Sequence, residues 1–319
     1  MKYKNLGLRG PEVSTIGFGA WAIGGMNWGE TDDAVSMRAL NKAIDEGVTF
    51  IDTADVYGFG HSEELIAKII KERGKENIVI ATKAGNDFYF ASSDDDEGYG
   101  AIQQTYTKEY IIYAAEQSLK RLNVEALDIL QLHSPGLDKL ERDEPWLALE
   151  QLKKDGKILS AGFSIQSFKE TEHAHILDAH HDLIDSIQVR YNLLEREAEK
   201  ILFPKAMEYG IGVIVRIPLL FGFLTGKFSQ KSTFSEDDHR SMNLSPDKIQ
   251  NYLNQLEKMK PLFDNYPEES MGQISLRFCI SHPACQTVIP GAKTEEQVIE
   301  NSFASDLGVI PKEFIPDLD

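Results

Sequence analysis

The sequence has little cysteine and no long apolar run. Its two cysteines, Cys279 and Cys285, stand six positions apart, which suits neither a disulfide framework nor a CxxC metal site, so we interpret them as free thiols. No apolar run reaches the ~18 residues that a membrane span needs. Residues 1–5 lack the apolar core of a secretory signal. We therefore expect a cytoplasmic protein without a membrane partner.

Basic residues are also in short supply. The chain has 33 Lys and Arg against 51 Asp and Glu, a formal net charge of −18. Because nucleic-acid binding needs clustered cations, this balance disfavours a nucleic-acid partner, and it equally disfavours an anionic membrane surface. The composition, with 42% hydrophobic and 26% charged residues, is that of an ordinary globular protein, which excludes the disordered and fibrous classes.

A strand-then-helix rhythm recurs along the chain. Short apolar, β-rich runs alternate eight times with stretches of helical period. Parallel strands joined by crossover helices give this pattern, and eight such units close into a (β/α)8 TIM barrel, the α/β fold that we expect. An open doubly wound sheet is the alternative. The predicted strands cover residues 15–19, 49–52, 78–83, 127–133, 159–164, 186–189, 212–217 and 287–290.

The helical stretches carry end signals. Thr31 and Thr107 precede two of them as N-caps, and glycines 47, 74, 156 and 210 stand where helices should stop. The predicted helices cover residues 32–46, 62–72, 108–121, 145–155, 169–179, 197–209, 246–258, 270–281 and 295–303.

We expect one barrel domain over residues 1–319. Residues 1–16 predict a β-hairpin that precedes the first barrel strand and covers the N-terminal mouth of the barrel. Residues 85–106 and 219–244 are long loops after the third and seventh strands, so both belong at the C-terminal face, where barrel enzymes form their active sites. We expect both loops to be mobile.

Two motifs suggest functions that their context does not support. Residues 17–22 match the GxGxxA dinucleotide fingerprint, but further glycines follow where a helix should begin. The second motif is a run of four histidines in one helical stretch. Their spacing does not bring three ligands to one ion, so we interpret them as a solvated helix face and expect no metal site. The histidines are His173, His175, His180 and His181.

Four polar side chains stand at or just beyond the ends of successive predicted strands. Asp52 ends the second strand and Tyr57 lies in the loop beyond it; Lys83 ends the third strand and His133 the fourth. In a barrel these ends meet at one mouth. A buried lysine needs a partner, and Asp52 would attract Lys83 by ~4 kcal/mol at ~4 Å with an effective dielectric constant of ~20. Asp52 should therefore keep Lys83 protonated.

These four residue types suit the reduction of a carbonyl group. Lys83 can lower the pKa of Tyr57 from its usual value of ~10, which makes the phenol a good general acid. His133 can donate a hydrogen bond to the same carbonyl oxygen. A structural ion pair beside a loop aromatic and a core histidine is the other interpretation. We favour catalysis because all four residues gather at strand ends.

At these positions the sequence resembles the aldo-keto reductase superfamily, over nearly the whole chain. The resemblance implies a (β/α)8 barrel that binds NADP(H) at its C-terminal mouth and passes a hydride to an aldehyde or ketone. It implies Tyr57 as general acid and base, Asp52 and Lys83 as the pair that tunes it, and His133 as the residue that orients the carbonyl, without a metal. Segments 222–227 and 289–293 look like the bacterial oxidoreductase branch. The matching segments are 17–19, 52–58, 82–83, 132–133, 188–192, 222–227 and 289–301.

The resemblance also implies cofactor contacts. Ser164 and Gln188 would hold the carboxamide, although Ile165 replaces the usual Asn beside them. Arg216 stands where many members stack an aromatic ring on the nicotinamide, and a planar guanidinium can also stack. Lys293 matches the cation near the adenosine 2′-phosphate, which favours NADP and leaves NAD open. The expected contacts are Gly19, Ala20, Trp21, Asp52, Ser164, Gln188, Arg216, Pro218, Leu219, Gly222, Leu224, Gly226, Lys227, Gly291, Lys293, Gln297 and Asn301.

The expected partner is a small carbonyl compound. Aldehydes, ketones and sugar or polyol carbonyls all stay open as substrates, as does the choice between a monomer and a homo-oligomer. A cofactor-sensing binding protein with vestigial turnover, like the potassium-channel β subunits of this family, is one rival function. A lyase or isomerase that uses Lys83 as a Schiff-base amine is another, and the charge on Lys83 argues against it. The aromatic residues that could line the substrate pocket are Trp21, Trp28, Tyr57, Phe88, Tyr89 and Phe221. The alternative for Trp28, Phe88 and Tyr89 is that they only pack their own loops.

Overall fold

The computed structural model describes residues 1–25, 31–90, 102–234 and 238–318. Its strands are β1 Tyr3–Asn5, β2 Glu12–Ser14, β3 Phe18–Gly19, β4 Phe50–Asp52, β5 Val79–Ala84, β6 Asn86–Asp87, β7 Gln103–Gln104, β8 Leu127–Leu132, β9 Ile158–Ser164, β10 Ser186–Arg190, β11 Gly212–Arg216 and β12 Thr287–Val288. Its α-helices are α1 Asp33–Asp45, α2 His61–Arg73, α3 Lys108–Leu122, α4 Leu137–Leu140, α5 Asp143–Lys154, α6 Glu170–His180, α7 Leu202–Glu208, α8 Arg240–Asn243, α9 Pro246–Lys258, α10 Lys260–Asp264, α11 Met271–Ser281 and α12 Glu295–Leu307.

Eight parallel strands form the predicted (β/α)8 barrel. They follow one another in the order β3, β4, β5, β8, β9, β10, β11 and β12. The ring closes between its first and last strands, where the Gly17 N–H donates to the Val288 carbonyl at 2.8 Å and the Gly19 N–H to the Pro290 carbonyl at 3.0 Å. Because the two edges meet in this way, the open doubly wound sheet is excluded.

Close packing at the closing seam explains the glycines of the dinucleotide-like motif. A Cβ atom on Gly19 would lie 2.8 Å from the Ile289 carbonyl oxygen, and one on Gly17 would lie 2.9 Å from the Phe50 ring. Only glycine lets the backbones approach so closely. A one-turn 3-10 helix over Ala22–Gly24 follows, in place of the α-helix that a dinucleotide-binding turn requires.

All nine predicted helices are present, with differences at their ends. The N-cap of α1 is Asp32 and not the predicted Thr31, because the Asp32 carboxylate accepts the N–H of Ala34 at 2.6 Å. The predicted helix over 197–209 is divided into a 3-10 turn and α7. Pro204 accounts for the break, since its ring clashes with the carbonyl four residues earlier. Within the described ranges no helix is long and apolar enough to cross a membrane.

The predicted N-terminal hairpin is confirmed, and it packs against the floor of the barrel. Strands β1 and β2 pair antiparallel, with Tyr3 opposite Ser14. Leu6 and Val13 are fully buried in an apolar cluster with interior residues of the barrel strands. The Leu8 N–H donates to the Gly210 carbonyl at 2.8 Å, which ties the hairpin to the turn before β11.

The two long loops are described only in part. Residues 91–101 and 235–237 lie outside the described residues, as does Trp28. The first loop leaves and re-enters the barrel through the short antiparallel ribbon of β6 and β7, which the sequence did not predict. The mobility of the loops and the single-domain organisation stay predictions.

The prediction of free thiols is confirmed, whereas the prediction of a solvated histidine face is wrong in part. Cys279 and Cys285 are free and buried, as expected. The solvated-face interpretation is wrong for His173, which is 1% exposed because it faces the barrel side of α6, and burial lowers its pKa to about 4. No group of three or more metal-ligating side chains occurs in the described part of the chain.

Candidate active site

A cleft of about 610 Å³ opens at the carboxyl ends of the barrel strands. It runs from the ends of β4 and β8 to the loop after β11 and the start of α12. Most of the expected site residues border it. Those that do are Gly19, Trp21, Asp52, Tyr57, His133, Ser164, Gln188, Arg216, Pro218, Leu219, Gly222, Lys227, Gly291, Lys293, Gln297 and Asn301.

A buried ion pair lies beneath one end of the cleft. Strands β4 and β5 are parallel neighbours with Asp52 opposite Ala81, and Lys83 lies two residues further along, on the same face of β5. The Lys83 Nζ lies 2.8 and 2.9 Å from the two Asp52 carboxylate oxygens and 2.6 Å from the Thr53 carbonyl oxygen. A neutral amine has only two N–H groups to donate, so three acceptors fit an ammonium group.

Burial acts against both charges of this pair. It lowers the pKa of Lys83, and the Asp52 carboxylate opposes that shift. It raises the pKa of Asp52, and Lys83 opposes that shift together with Gln188, whose Nε2 donates to Asp52 Oδ2 at 2.6 Å. That Asp52 keeps Lys83 protonated stays a prediction, and the three acceptors support it.

Tyr57 lies between Lys83 and the cleft. The Lys83 Nζ is 5.3 Å from the centre of the Tyr57 ring. The ring is stacked with Trp21 at a centroid distance of 6.1 Å and meets the His133 ring edge-on at 5.8 Å. The structure thus brings together the four predicted catalytic side chains. Lys83 alone does not border the cleft, and it reaches the site through Tyr57.

Asn86 fixes the imidazole of His133, and sequence reasoning missed it. The Asn86 side-chain amide lies 3.0 Å from His133 Nδ1, while its carbonyl oxygen accepts from Gln104 at 3.3 Å. With its amide donating, Nδ1 is an acceptor and the ring proton belongs on Nε2. The His133 carbonyl accepts from the Tyr106 hydroxyl at 2.7 Å, which holds the backbone.

His133 is held neutral by its surroundings. Burial lowers its pKa well below the usual value, and the charges of Lys83 and Arg216 act in the same direction. A neutral ring with its proton on Nε2 can donate one hydrogen bond to an oxygen in the cleft. This is the donor that orientation of a carbonyl group requires.

Arg216 borders the cleft at the end of β11. Its Nη2 donates to the Ile165 carbonyl at 3.0 Å and to the Ser167 hydroxyl at 2.9 Å. Burial lowers the pKa of Arg216 to about 10, with the charge of Arg190 as the next cause, so the guanidinium stays charged near neutral pH. Ile165, at the position where the resemblance implies Asn, thus contacts Arg216 through its backbone carbonyl.

The far end of the cleft carries three cations, although the whole chain is acidic. Lys227, Arg240 and Lys293 all border it. Burial lowers the pKa of Lys293, and the nearby charge of Arg240 is the next cause. Arg240 also pairs with Asp238 through contacts at 2.9 and 3.0 Å. Sequence reasoning missed Arg240, since it begins the short helix α8 in the long connection after β11 and matches no motif.

The loop between β11 and Lys227 has an unusual backbone. Ile217, Leu220 and Phe221 have φ values of 57°, 48° and 56°, in the left-handed region that side chains other than glycine rarely adopt. Such strain clusters at binding sites, where the surrounding structure holds it in place. Ile217 and Phe221 border the cleft.

Several expected contacts do not border the cleft. Ala20, Leu224 and Gly226 are outside its lining, and Leu224 is fully buried in the core. Phe88 and Tyr89 pack on each other at 4.0 Å and do not border the cleft, which agrees with the loop-packing alternative. His239, which sequence reasoning did not identify, stacks on Trp21 at 4.6 Å. Phe221 does border the cleft.

The chain is similar to known proteins over its whole length. The profile of the Aldo/keto reductase family matches residues 15–319. The chain is 32% identical over 301 residues to Aldo-keto reductase YhdN of Bacillus subtilis (strain 168), covering 93% of this chain and 87% of that protein. It is 31% identical over 321 residues to the Arabidopsis thaliana protein named "Probable voltage-gated potassium channel subunit beta", covering 98% and 92%. The structure of the glycerol dehydrogenase AKR11B4 from Gluconobacter oxydans superposes with a TM-score of 0.81 at 30% identity, covering 98% and 92%.

The neutral state of His133 predicts a loss of stability in mild acid. Below the ordinary histidine pKa of ~6.5 the unfolded chain takes up a proton at this position and the folded chain does not, so the free energy of unfolding falls as pH falls. His133→Gln removes this group. Its drop in unfolding free energy from pH 7 to pH 5.5, measured by urea denaturation, should be smaller than that of the wild type by about 1 kcal/mol.

The matched control is His175→Gln, because the His175 side chain is 52% exposed. This variant should lose as much stability between the two pH values as the wild type does. Equal losses in His133→Gln and the wild type would show that His133 is not held neutral by the fold.

Proposed function

Because the chain belongs to the aldo/keto reductase family, a family of oxidoreductases, we propose that it reduces an aldehyde or ketone to an alcohol with NADP(H) and with Tyr57 as general acid. One observation carries the proposal. Tyr57 borders the cleft between a buried Lys83, 5.3 Å from its ring centre, and the edge of His133. A phenol between a cation and a neutral imidazole donor suits proton transfer to a carbonyl oxygen.

Each side chain has a defined part in the proposed reaction. The cofactor, when bound, supplies a hydride to the carbonyl carbon. The Tyr57 hydroxyl gives its proton to the carbonyl oxygen as negative charge develops there, and Lys83 stabilises the phenolate that remains. The Nε2–H of His133 donates to the same oxygen and fixes its direction. Asp52 holds the ammonium of Lys83 in place.

The residues around the cleft fit a dinucleotide phosphate. Although the chain has a net charge of −18, Lys227, Arg240 and Lys293 all border one end of the cleft. Three cations at this end can bind the phosphate groups of a dinucleotide. At the other end the Gln188 side-chain nitrogen is committed to Asp52, so Gln188 would offer its carbonyl oxygen to the carboxamide. Ser164 borders the same end.

The position of Lys83 speaks against Schiff-base chemistry. Its side chain is 1% exposed and does not border the cleft, and all three ammonium protons face acceptors. A substrate carbonyl therefore has no path to this nitrogen. A cofactor-sensing protein would use the same cleft as a reductase, and the two differ in turnover.

Replacing Tyr57 with phenylalanine should abolish catalysis and preserve cofactor binding. Tyr57→Phe removes only the hydroxyl that gives the proton, so kcat for NADPH oxidation with a reactive aromatic aldehyde should fall by a factor of about 1,000 or more. The dissociation constant of NADPH, measured by protein fluorescence, should change by less than about threefold.

Equal turnover in Tyr57→Phe and the wild type would place the chemistry on another residue. Tight NADPH binding without turnover of aldehydes, ketones or sugars by the wild type would contradict the reductase assignment and favour a cofactor sensor.

Removing the charge of Lys293 should discriminate between the two cofactors. Lys293→Ala takes away a cation for the 2′-phosphate, which NADPH has and NADH lacks. Since a hydrogen bond to a charged group contributes ~1.5–3 kcal/mol, NADPH binding should weaken by about 10- to 100-fold, and NADH binding should change little. Arg240→Ala should likewise weaken the binding of NADPH and leave that of NADH nearly unchanged.

Lys231→Ala is the matched control for both variants. Lys231 is an exposed cation of the segment after β11, which also carries Arg240, and it does not border the cleft, so its loss should leave both dissociation constants unchanged. Equal weakening of NADPH and NADH in Lys293→Ala would remove Lys293 from the 2′-phosphate site.

A further inference from the structure

The reacting end of the cleft contains one cation without an ion-pair partner among the described residues. Lys83 is paired with Asp52. Arg190, at the end of β10, is paired with Glu195 through two contacts at 2.5 and 2.6 Å. Arg216 has no carboxylate within ion-pair distance in the described ranges, so no direct counter-ion neutralises its positive charge there.

The guanidinium of Arg216 is nevertheless held in place. Both contacts of its Nη2 are to neutral oxygens, the Ile165 carbonyl and the Ser167 hydroxyl. Its buried Nε has no hydrogen-bond partner among the described residues. Two carboxyl groups act on Arg216 electrostatically, Glu170 and Asp52, and neither lies within ion-pair distance. Burial raises the pKa of Glu170, which weakens it as a counter-ion, and Asp52 is already paired with Lys83.

The charge of Arg216 acts on the place where the reaction occurs. Arg216 interacts electrostatically with Tyr57 and Asp52 and borders the same end of the cleft. The pKa of Arg216, lowered to about 10, leaves the guanidinium protonated at neutral pH. In a partly buried site, a fixed charge acts more strongly on a charge that forms beside it than it would in water.

The two redox states of a nicotinamide differ in charge. The reduced ring is neutral, and it becomes a cation when a hydride leaves it for the carbonyl carbon, while the proton for the carbonyl oxygen comes from Tyr57. Hydride transfer requires that the ring and the carbonyl group at Tyr57 touch. The ring must therefore lie in the part of the cleft that Tyr57 and Arg216 share.

We propose that Arg216 makes the cleft bind the reduced cofactor more tightly than the oxidised one, by repelling the positive charge of the oxidised ring. This inference rests on the proposed function, since it needs a nicotinamide in the cleft. Its consequence is directional. The oxidised cofactor is bound less tightly as soon as it forms, which favours its release. The protein is therefore suited to carbonyl reduction when both cofactor forms are present.

Binding measurements on the wild type and two variants test this proposal. Isothermal titration calorimetry gives the dissociation constants of NADPH, NADP⁺ and 2′-phospho-ADP-ribose, a probe without the nicotinamide ring. The wild type should bind NADPH about tenfold or more tightly than NADP⁺. Arg216→Gln should bind NADP⁺ about tenfold more tightly than the wild type does, whereas binding of 2′-phospho-ADP-ribose should not change.

Arg216→Lys is the matched control, because it keeps the charge and loses the planar fork. It should keep the preference for NADPH. A preference that is lost equally in the Lys and Gln variants would overturn the proposal, because shape and not charge would then set it. So would an unchanged preference in Arg216→Gln.

The wild type alone gives an answer that does not depend on the folding of any variant. If it binds NADP⁺ as tightly as NADPH, the redox discrimination is wrong and the proposed function stands. If it binds neither dinucleotide nor 2′-phospho-ADP-ribose, the proposed function falls and the inference falls with it.

Discussion

The buried ion pair between Asp52 and Lys83 is the interaction on which the rest of the site depends. Taking both charges out of water is costly, and the cost is offset only where the geometry is good and further hydrogen bonds are present. The barrel supplies both, because the parallel register of β4 and β5 brings the two side chains to one face and the Thr53 carbonyl completes the ammonium's contacts. These contacts hold the Lys83 Nζ 5.3 Å from the centre of the Tyr57 ring.

Charge is distributed very unevenly in this protein. The chain carries a net charge of −18, yet cations border both ends of the cleft, with Arg216 at one end and Lys227, Arg240 and Lys293 at the other. Cations grouped along a cleft in an otherwise acidic protein attract anionic ligands to that cleft. On the proposed function, this contrast would draw an anionic dinucleotide to the cleft and away from the rest of the surface.

The sequence predicted what depends on strand periodicity and parallel topology, and little that depends on loops. Asp52, Lys83 and His133 could be placed together because the ends of neighbouring parallel strands meet at one mouth. Asn86 and Arg240 could not, since each reaches the site through a loop whose path is set by contacts distant in sequence. The same limit explains why the sequence left open whether Phe88 and Tyr89 line the pocket or only pack within their loop, as they do.

The central claim is that the buried cation activates Tyr57, and the pH dependence of kcat for carbonyl reduction tests it most directly. In the wild type the rate should fall on the alkaline side, where Tyr57 loses the proton that it must give. In Lys83→Gln the ammonium group beside the Tyr57 ring no longer favours the phenolate, so this alkaline limb should move up by about one pH unit or more. The kcat at neutral pH should also fall, while NADPH still binds. A variant with reduced kcat but an unmoved alkaline limb would contradict the claim, because Lys83 would then support the fold without acting on Tyr57.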